Sequence, residues 1–174
     1  MYTYYGTLAE ANTYFSHRLH EEAWTNATTD EREKALIWAT KIIDALNFKG
    51  QKAAVYDIMY DADGNELDVT DEELRDADWS QDLQFPRDED VDVPEEIKIA
   101  CWEISYNLLD GVDPDLELEN LAVVSQGIAS VRTTYNRNHS QIEHLNNGVP
   151  SAAAWRYLRP FLRDSGSVKF SRVD

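Results

Sequence analysis

Apolar positions near the N-terminus fall at helical spacing. Leu8, Ala11, Phe15 and Leu19 share one side of a helix that Thr7-Leu8-Ala9-Glu10 opens in capping-box form. A second start, Thr28-Thr29-Asp30-Glu31, predicts a longer helix to about Leu46. Ala35, Leu36, Ala39, Ile42, Ile43 and Leu46 make its broad apolar stripe, Glu33, Lys34 and Lys41 lie on the polar side, and Gly50 closes the unit. A third helix is predicted after Asp92-Val93-Pro94-Glu95, with proline at a position where its missing N–H costs nothing. Ile97, Ala100, Cys101, Ile104 and Leu108 form its inward face, and Gly111 is a left-handed stop.

Elsewhere the period changes. Residues 54–60 and 66–69, around the Asp-Gly-containing stretch 61–65, read as two short strands of an inserted β-hairpin, and 71–78 as a helical turn. Beyond Gly111 the pattern turns extended. Residues 122–124 and 128–135, separated at Gly127, predict a β-hairpin or paired arm rich in β-branched residues. Residues 136–147 read as loop, and a last helix begins near Pro150, with Ala154, Tyr157, Leu158 and Phe161 at helical spacing and Pro160 breaking its final turn. Ser165–Asp174 has little to bury and is expected to be a flexible arm.

The fold class expected is therefore mainly α: a bundle of about four helices carrying an inserted β-hairpin, an extended hairpin or arm, and a flexible C-terminal tail. At 174 residues the chain suits one domain, 1–174, with an acidic insertion at about 51–92, an arm at about 117–147 and a terminal segment at about 148–174. No apolar run approaches the roughly 20 residues of a membrane span, and Met1–Tyr5 has no basic region ahead of an apolar stretch. The lone Cys101 excludes a disulfide scaffold, and a cytosolic compartment is the simpler expectation.

Charge sharpens this picture. Seventeen carboxylates lie between Asp57 and Glu96 against only Arg75 and Arg87, which accounts for nearly all of the formal net charge of −17. From Leu121 onward, Arg132, Arg137, Arg156, Arg159, Arg163, Lys169 and Arg172 outnumber Glu143, Asp164 and Asp174. Tight nucleic-acid binding needs the opposite overall balance, because affinity grows with each phosphate neutralised. The acidic stretch reads either as a solvating surface or as a functional one.

The candidates for chemistry are weak. Asp61, Asp63, Asn65 and Glu72 suggest a calcium loop, but its sixth position, where glycine is required, is Glu66. His17, His20, His139 and His144 lack zinc-site spacing, and no nucleophile elbow or phosphate-cradling loop occurs. Neither catalysis, a metal nor a cofactor is expected. Trp24, Trp38 and Trp102 fall in or beside helical stripes and read as core. Aromatic and arginine residues crowd the termini, at Tyr2, Tyr4 and Tyr5 and again at Trp155, Arg156, Tyr157 and Arg159. They read as protein contacts, with Trp155 and Tyr157 as caps of the bundle being the alternative.

The order of these signals resembles a family of tailed-phage proteins, often labelled DnaT-like single-stranded DNA-binding proteins, that look by fold like head–tail connectors. The resemblance lies in residues 5–15, Trp24, 34–40 and 44–46, in Gln84-Phe85-Pro86-Arg87 and Val93-Pro94-Glu95-Glu96-Ile97, and in the closing stretch from Val149-Pro150 to Leu158-Arg159-Pro160-Phe161-Leu162. Residues 52–82 are longer and more acidic than the family pattern, so no role is carried over to them. The resemblance implies a helical bundle without catalysis or cofactor. It also implies a virion protein of the head–tail junction, present in host cytoplasm during assembly. Copies would form a homo-oligomeric ring, of about twelve subunits, closed by a heterologous interface. The ring would dock on the portal protein, meet a tail or second connector protein, and let genomic double-stranded DNA pass without specific binding or any membrane.

On that expectation the portal or subunit interface takes in Tyr4, Tyr5, Val131, Arg132, Tyr135, Trp155, Arg156, Tyr157, Arg159, Phe161, Phe170 and Arg172. Asp88, Glu89, Asp90 and Asp92 would face the channel or lie on an outer, solvating surface. Two other classes compete. One is a primosome-like factor that binds single strands through the basic C-terminal third and its aromatics. The other is an acidic inhibitor that mimics DNA.

Overall fold

The computed structural model describes residues 3–54, 81–122, 125–128, 131–134 and 143–163, with isolated positions 59, 65, 68, 70 and 72. The described chain is mainly helical: α1 Leu8–Ser16, α2 Glu22–Asn26, α3 Thr29–Asp44, α4 Glu95–Leu109, α5 Pro114–Ala122, α6 Glu143–Asn146 and α7 Ala152–Leu158, which runs into a 3-10 turn at Arg159–Phe161.

Both N-terminal capping boxes form. Thr7 Oγ1 accepts from the Glu10 amide at 3.2 Å while Glu10 Oε2 accepts from the Thr7 amide at 2.7 Å, and Thr28 and Glu31 repeat the arrangement. Pro94 caps α4, and Gly111 ends it at φ +85°.

Helix α4 is the centre of the molecule. Ala100 through Ser105 are buried without interruption, as expected of a helix enclosed on all sides. It packs against both α3 and α7, which make no comparable contact with each other. Helix α3 supplies Ala35, Leu36, Ala39, Thr40 and Ile43, and α7 supplies Ala154, Trp155 and Leu158. Phe15 of α1 stacks on Trp24 at 4.5 Å between centroids, which gives the short α2 its hold on the core. Each fully buried Leu, Ile or Phe contributes about 1.5–3 kcal/mol relative to exposure.

At one end the aromatic rings of Tyr5, Phe48, Phe85 and Phe161 pack edge to face around Phe85, at centroid distances of 4.7 to 6.1 Å. Here the chain beyond α7 returns to the turn after α3 through an antiparallel bridge between Phe48 and Leu162, with the Lys49 amide donating to Phe161 O and the Arg163 amide to Asn47 O.

Several expectations are corrected. Ala54 and Met59, the described residues of the stretch expected to be the first inserted strand, have helical backbone; most of that insertion lies outside the described residues. Residues 117–122, expected in the extended arm, are helical, because Asp113 Oδ1 accepts from the amides of Asp115 and Leu116 and starts α5 just ahead of Pro114. Residues 143–146, expected as loop, form α6. Ser125–Ile128 and Val131–Thr134 pair antiparallel, from Ser125 opposite Thr134 to Ile128 opposite Val131, a ladder too short to make up the arm expected over 117–147. Leu19 is exposed rather than inward, because α1 stops at Ser16 and Leu19 sits in the following turn. Trp38 is exposed rather than core: it lies on the outer side of α3, in line with Lys34 and Lys41.

Candidate functional site

Among the described residues a groove of about 650 Å³ lies between α1 and α4, lined by Ala9, Glu10, Thr13, Tyr14, His17, Arg18, Glu95 and Trp102. Beside it Glu103 is nearly fully buried, and its oxygens are engaged from two sides. Tyr14 Oη donates to Oε1 at 2.7 Å, Arg18 Nε to Oε1 at 2.9 Å, and Arg18 Nη2 to Oε2 at 3.1 Å. The Arg18 guanidinium also lies 4.1 Å from the Tyr106 ring centre, and its Nη1 donates to the carbonyls of Leu19 and His20, fixing His20 at φ +59°. A carboxylate held by a bidentate arginine and a phenol is committed to structure rather than to proton transfer. The Tyr14 hydroxyl is correspondingly pushed upward by burial and by the adjacent Glu103.

Cys101 gives no chemistry either. It is fully buried, and burial pushes its thiol up to about 12, far from thiolate character. Among the described residues no group of three or more His, Cys, Asp or Glu could hold a metal ion, and no helix is long and apolar enough to cross a membrane.

A second cluster closes the base of the acidic insertion. Arg87 donates to Lys49 O at 2.7 Å, Gly50 O at 2.6 Å and Gln84 Oε1 at 2.8 Å. The Asp88 amide donates to Gln51 O, the Gln51 amide donates to Asp88 Oδ1 at 2.8 Å, and the Ala53 amide donates to Pro86 O. Gln81 ties both strands of this neck, accepting from the Ala54 amide and donating to Pro86 O. Gly50 is required here: at φ +70° a Cβ would fall 1.9 Å from Asp88 Oδ2. Burial shifts the Arg87 guanidinium downward, and the nearby charge of Arg163 adds to the shift.

The residues expected at interfaces separate into groups. Tyr5 is fully buried, with its hydroxyl donating to Asp44 Oδ1 and accepting from the Gln84 and Phe85 amides; it is a core residue. Trp155 is likewise buried and caps the bundle, its Nε1 donating to Glu143 Oε2 at 3.4 Å. Both aromatics belong to the core cluster, and burying their large apolar surface outweighs exposing them. Tyr4 and Phe161 are half-buried against the core, while Arg156, Tyr157 and Arg159 are exposed on α7 and its closing turn. Val131 and Arg132 lie in the second paired segment, and Tyr135, Phe170 and Arg172 lie outside the described residues.

Among the acids assigned to a channel, Asp88 is held in the neck at φ +52°, whereas Glu89, Asp90 and Asp92 are exposed. The structure thus brings the exposed Arg163 together with Lys49 and the Arg87 neck, while Arg156 and Arg159 are exposed on α7 and the turn that leads there. Sequence reasoning passed over Arg18, Glu103 and the Gln81–Arg87 neck. The signal for Glu103 was present, as a single acid in the apolar run Cys101-Trp102-Glu103-Ile104.

Compared with known proteins, the chain matches no family model, no curated protein and no solved structure.

Proposed function

We propose that this chain is a head–tail connector of a tailed bacteriophage, a non-enzymatic virion protein whose copies form a ring of about twelve beneath the portal and leave a channel for DNA. The observation that carries the reading is the terminal basic end. The Phe48–Leu162 bridge anchors the closing turn that carries Arg159 and Arg163 beside Lys49, and Ser165–Asp174, with Lys169, Phe170 and Arg172, follows it in sequence. In a chain of net charge −17 this end is the part suited to an acidic protein surface. The outer edges of Ser125–Ile128 and Val131–Thr134 would offer main-chain hydrogen bonds to a neighbour. The saturated hydrogen bonds around Glu103 and the buried thiol of Cys101 favour a structural role over turnover.

The test is truncation. Deleting Ser165–Asp174 leaves the Phe48–Leu162 bridge and the described helices in the chain, so the protein should keep its helical circular dichroism and its cooperative unfolding while losing attachment to portal-bearing heads. Undiminished attachment would refute the assignment of the terminal segment as the portal contact.

A further inference from the structure

Two exposed helix faces on this chain match one another. On the outer side of α3, Trp38 is 56% exposed, and the Lys41 ammonium lies 5.4 Å from the centre of its ring. Among the described residues Lys41 faces no carboxylate, while Lys34, two turns earlier, is paired with Asp30. On α5, Leu116 is 54% exposed and Glu119 follows it by three residues, on the same side of the helix. Residues 115–120 are all exposed, and the only substantial neighbour of α5 among the described elements is the short α6. An exposed tryptophan with a cation three residues on therefore faces outward from one element, and an exposed leucine with an anion three residues on faces outward from another.

The two faces also belong to elements with different neighbours. Helix α4 separates α3 from α7, and α5 turns away after α4 to meet α6, which leads into α7. Faces that complement each other but are distinct patches of one subunit give a head-to-tail contact, the kind a closed ring requires.

We infer that α5 of one copy packs on the outer face of α3 of the next, with Leu116 against Trp38 and Glu119 against Lys41 along helices running in the same direction. The occupant of each face is a second copy of this chain, selected by charge complementarity and by the matched spacing of an apolar and a charged residue. The inference rests on the ring assembly proposed above and supplies its subunit contact.

Mixing two full-length variants, Trp38→Cys and Leu116→Cys, under mild oxidation tests it. Cys101 is fully buried and does not compete. The mixture should give the 38–116 disulfide dimer as its main product, and each variant alone should give little. Absence of that product, or equal formation of like-with-like dimers, would overturn the contact. As a second measurement, Lys41→Glu and Glu119→Lys should each weaken self-association about tenfold by sedimentation, and the double variant should recover it; a double variant no better than the singles also overturns it. Head attachment is read separately. A chain that attaches without forming the disulfide defeats this contact alone, whereas one that forms the disulfide without attaching supports the contact and defeats the connector reading.

Discussion

Tyr5 and Asp44 join three segments distant in sequence. The Tyr5 hydroxyl donates to Asp44 Oδ1, the Gln84 amide donates to the same oxygen at 3.3 Å, and the Tyr5 amide donates to Thr40 Oγ1. Burial raises the Asp44 carboxyl above its ordinary 3.8, against the lowering effect of its hydrogen bonds to Tyr5 and Gln84. A carboxyl whose folded value is raised takes up its proton more readily in the native state. The stability it contributes is complete below 3.8 and is lost as pH rises through the folded value. Asp44→Asn keeps Oδ1 as acceptor and removes the titration. The variant should therefore be at least as stable as the parent at neutral pH by urea denaturation, and this advantage should shrink as pH is lowered through the raised folded value and level off below 3.8. A difference independent of pH would contradict the account. None of this was legible in the sequence. Tyr5 read as a contact residue because it lies among terminal aromatics, and only the fold shows Asp44 and Gln84 meeting its hydroxyl.

At the level of elements, legibility followed local chemistry. The capping boxes at Thr7 and Thr28, the left-handed Gly111 and the stripes of α3 and α4 act within a few residues of themselves, and each was readable from the chain. Helix α5 was not, because its start depends on the Asp113 side chain and its residues present leucines and acids in alternation, a pattern that resembles a strand. Trp38 failed for a related reason: residues 35, 36, 39 and 43 already fill the inward stripe of α3 and leave position 38 outside. Local capping carries its own expectation. Thr7→Ala removes the side-chain acceptor for the Glu10 amide and the hydroxyl that, as the largest cause, holds the Glu10 carboxyl below its usual range. It should cost about 1 kcal/mol in chemical denaturation, whereas Thr7→Ser should cost much less. Equal losses for the two would show that packing, and not the cap, is responsible.

For the whole molecule, the division of charge is the property most directly readable from sequence and the one that bears most on function. The acids concentrate in 57–96, and the structure ties the base of that segment, through Arg87, to the carbonyls of Lys49 and Gly50, next to the Phe48–Leu162 bridge where the basic C-terminal stretch rejoins the core. The neck itself was not readable, since its hydrogen bonds join residues about 30 to 40 positions apart through main-chain carbonyls that carry no sequence signature. On the connector reading proposed above, the basic C-terminal residues would meet an acidic protein surface while the carboxylates of 57–96 repel DNA phosphates. The most direct test is negative-stain imaging of the purified full chain mixed with portal-bearing, DNA-filled heads, with oligonucleotide binding measured on the same preparation. The connector account predicts a ring at the portal vertex and negligible affinity for DNA; salt-sensitive binding to single strands with no attachment to heads would contradict it.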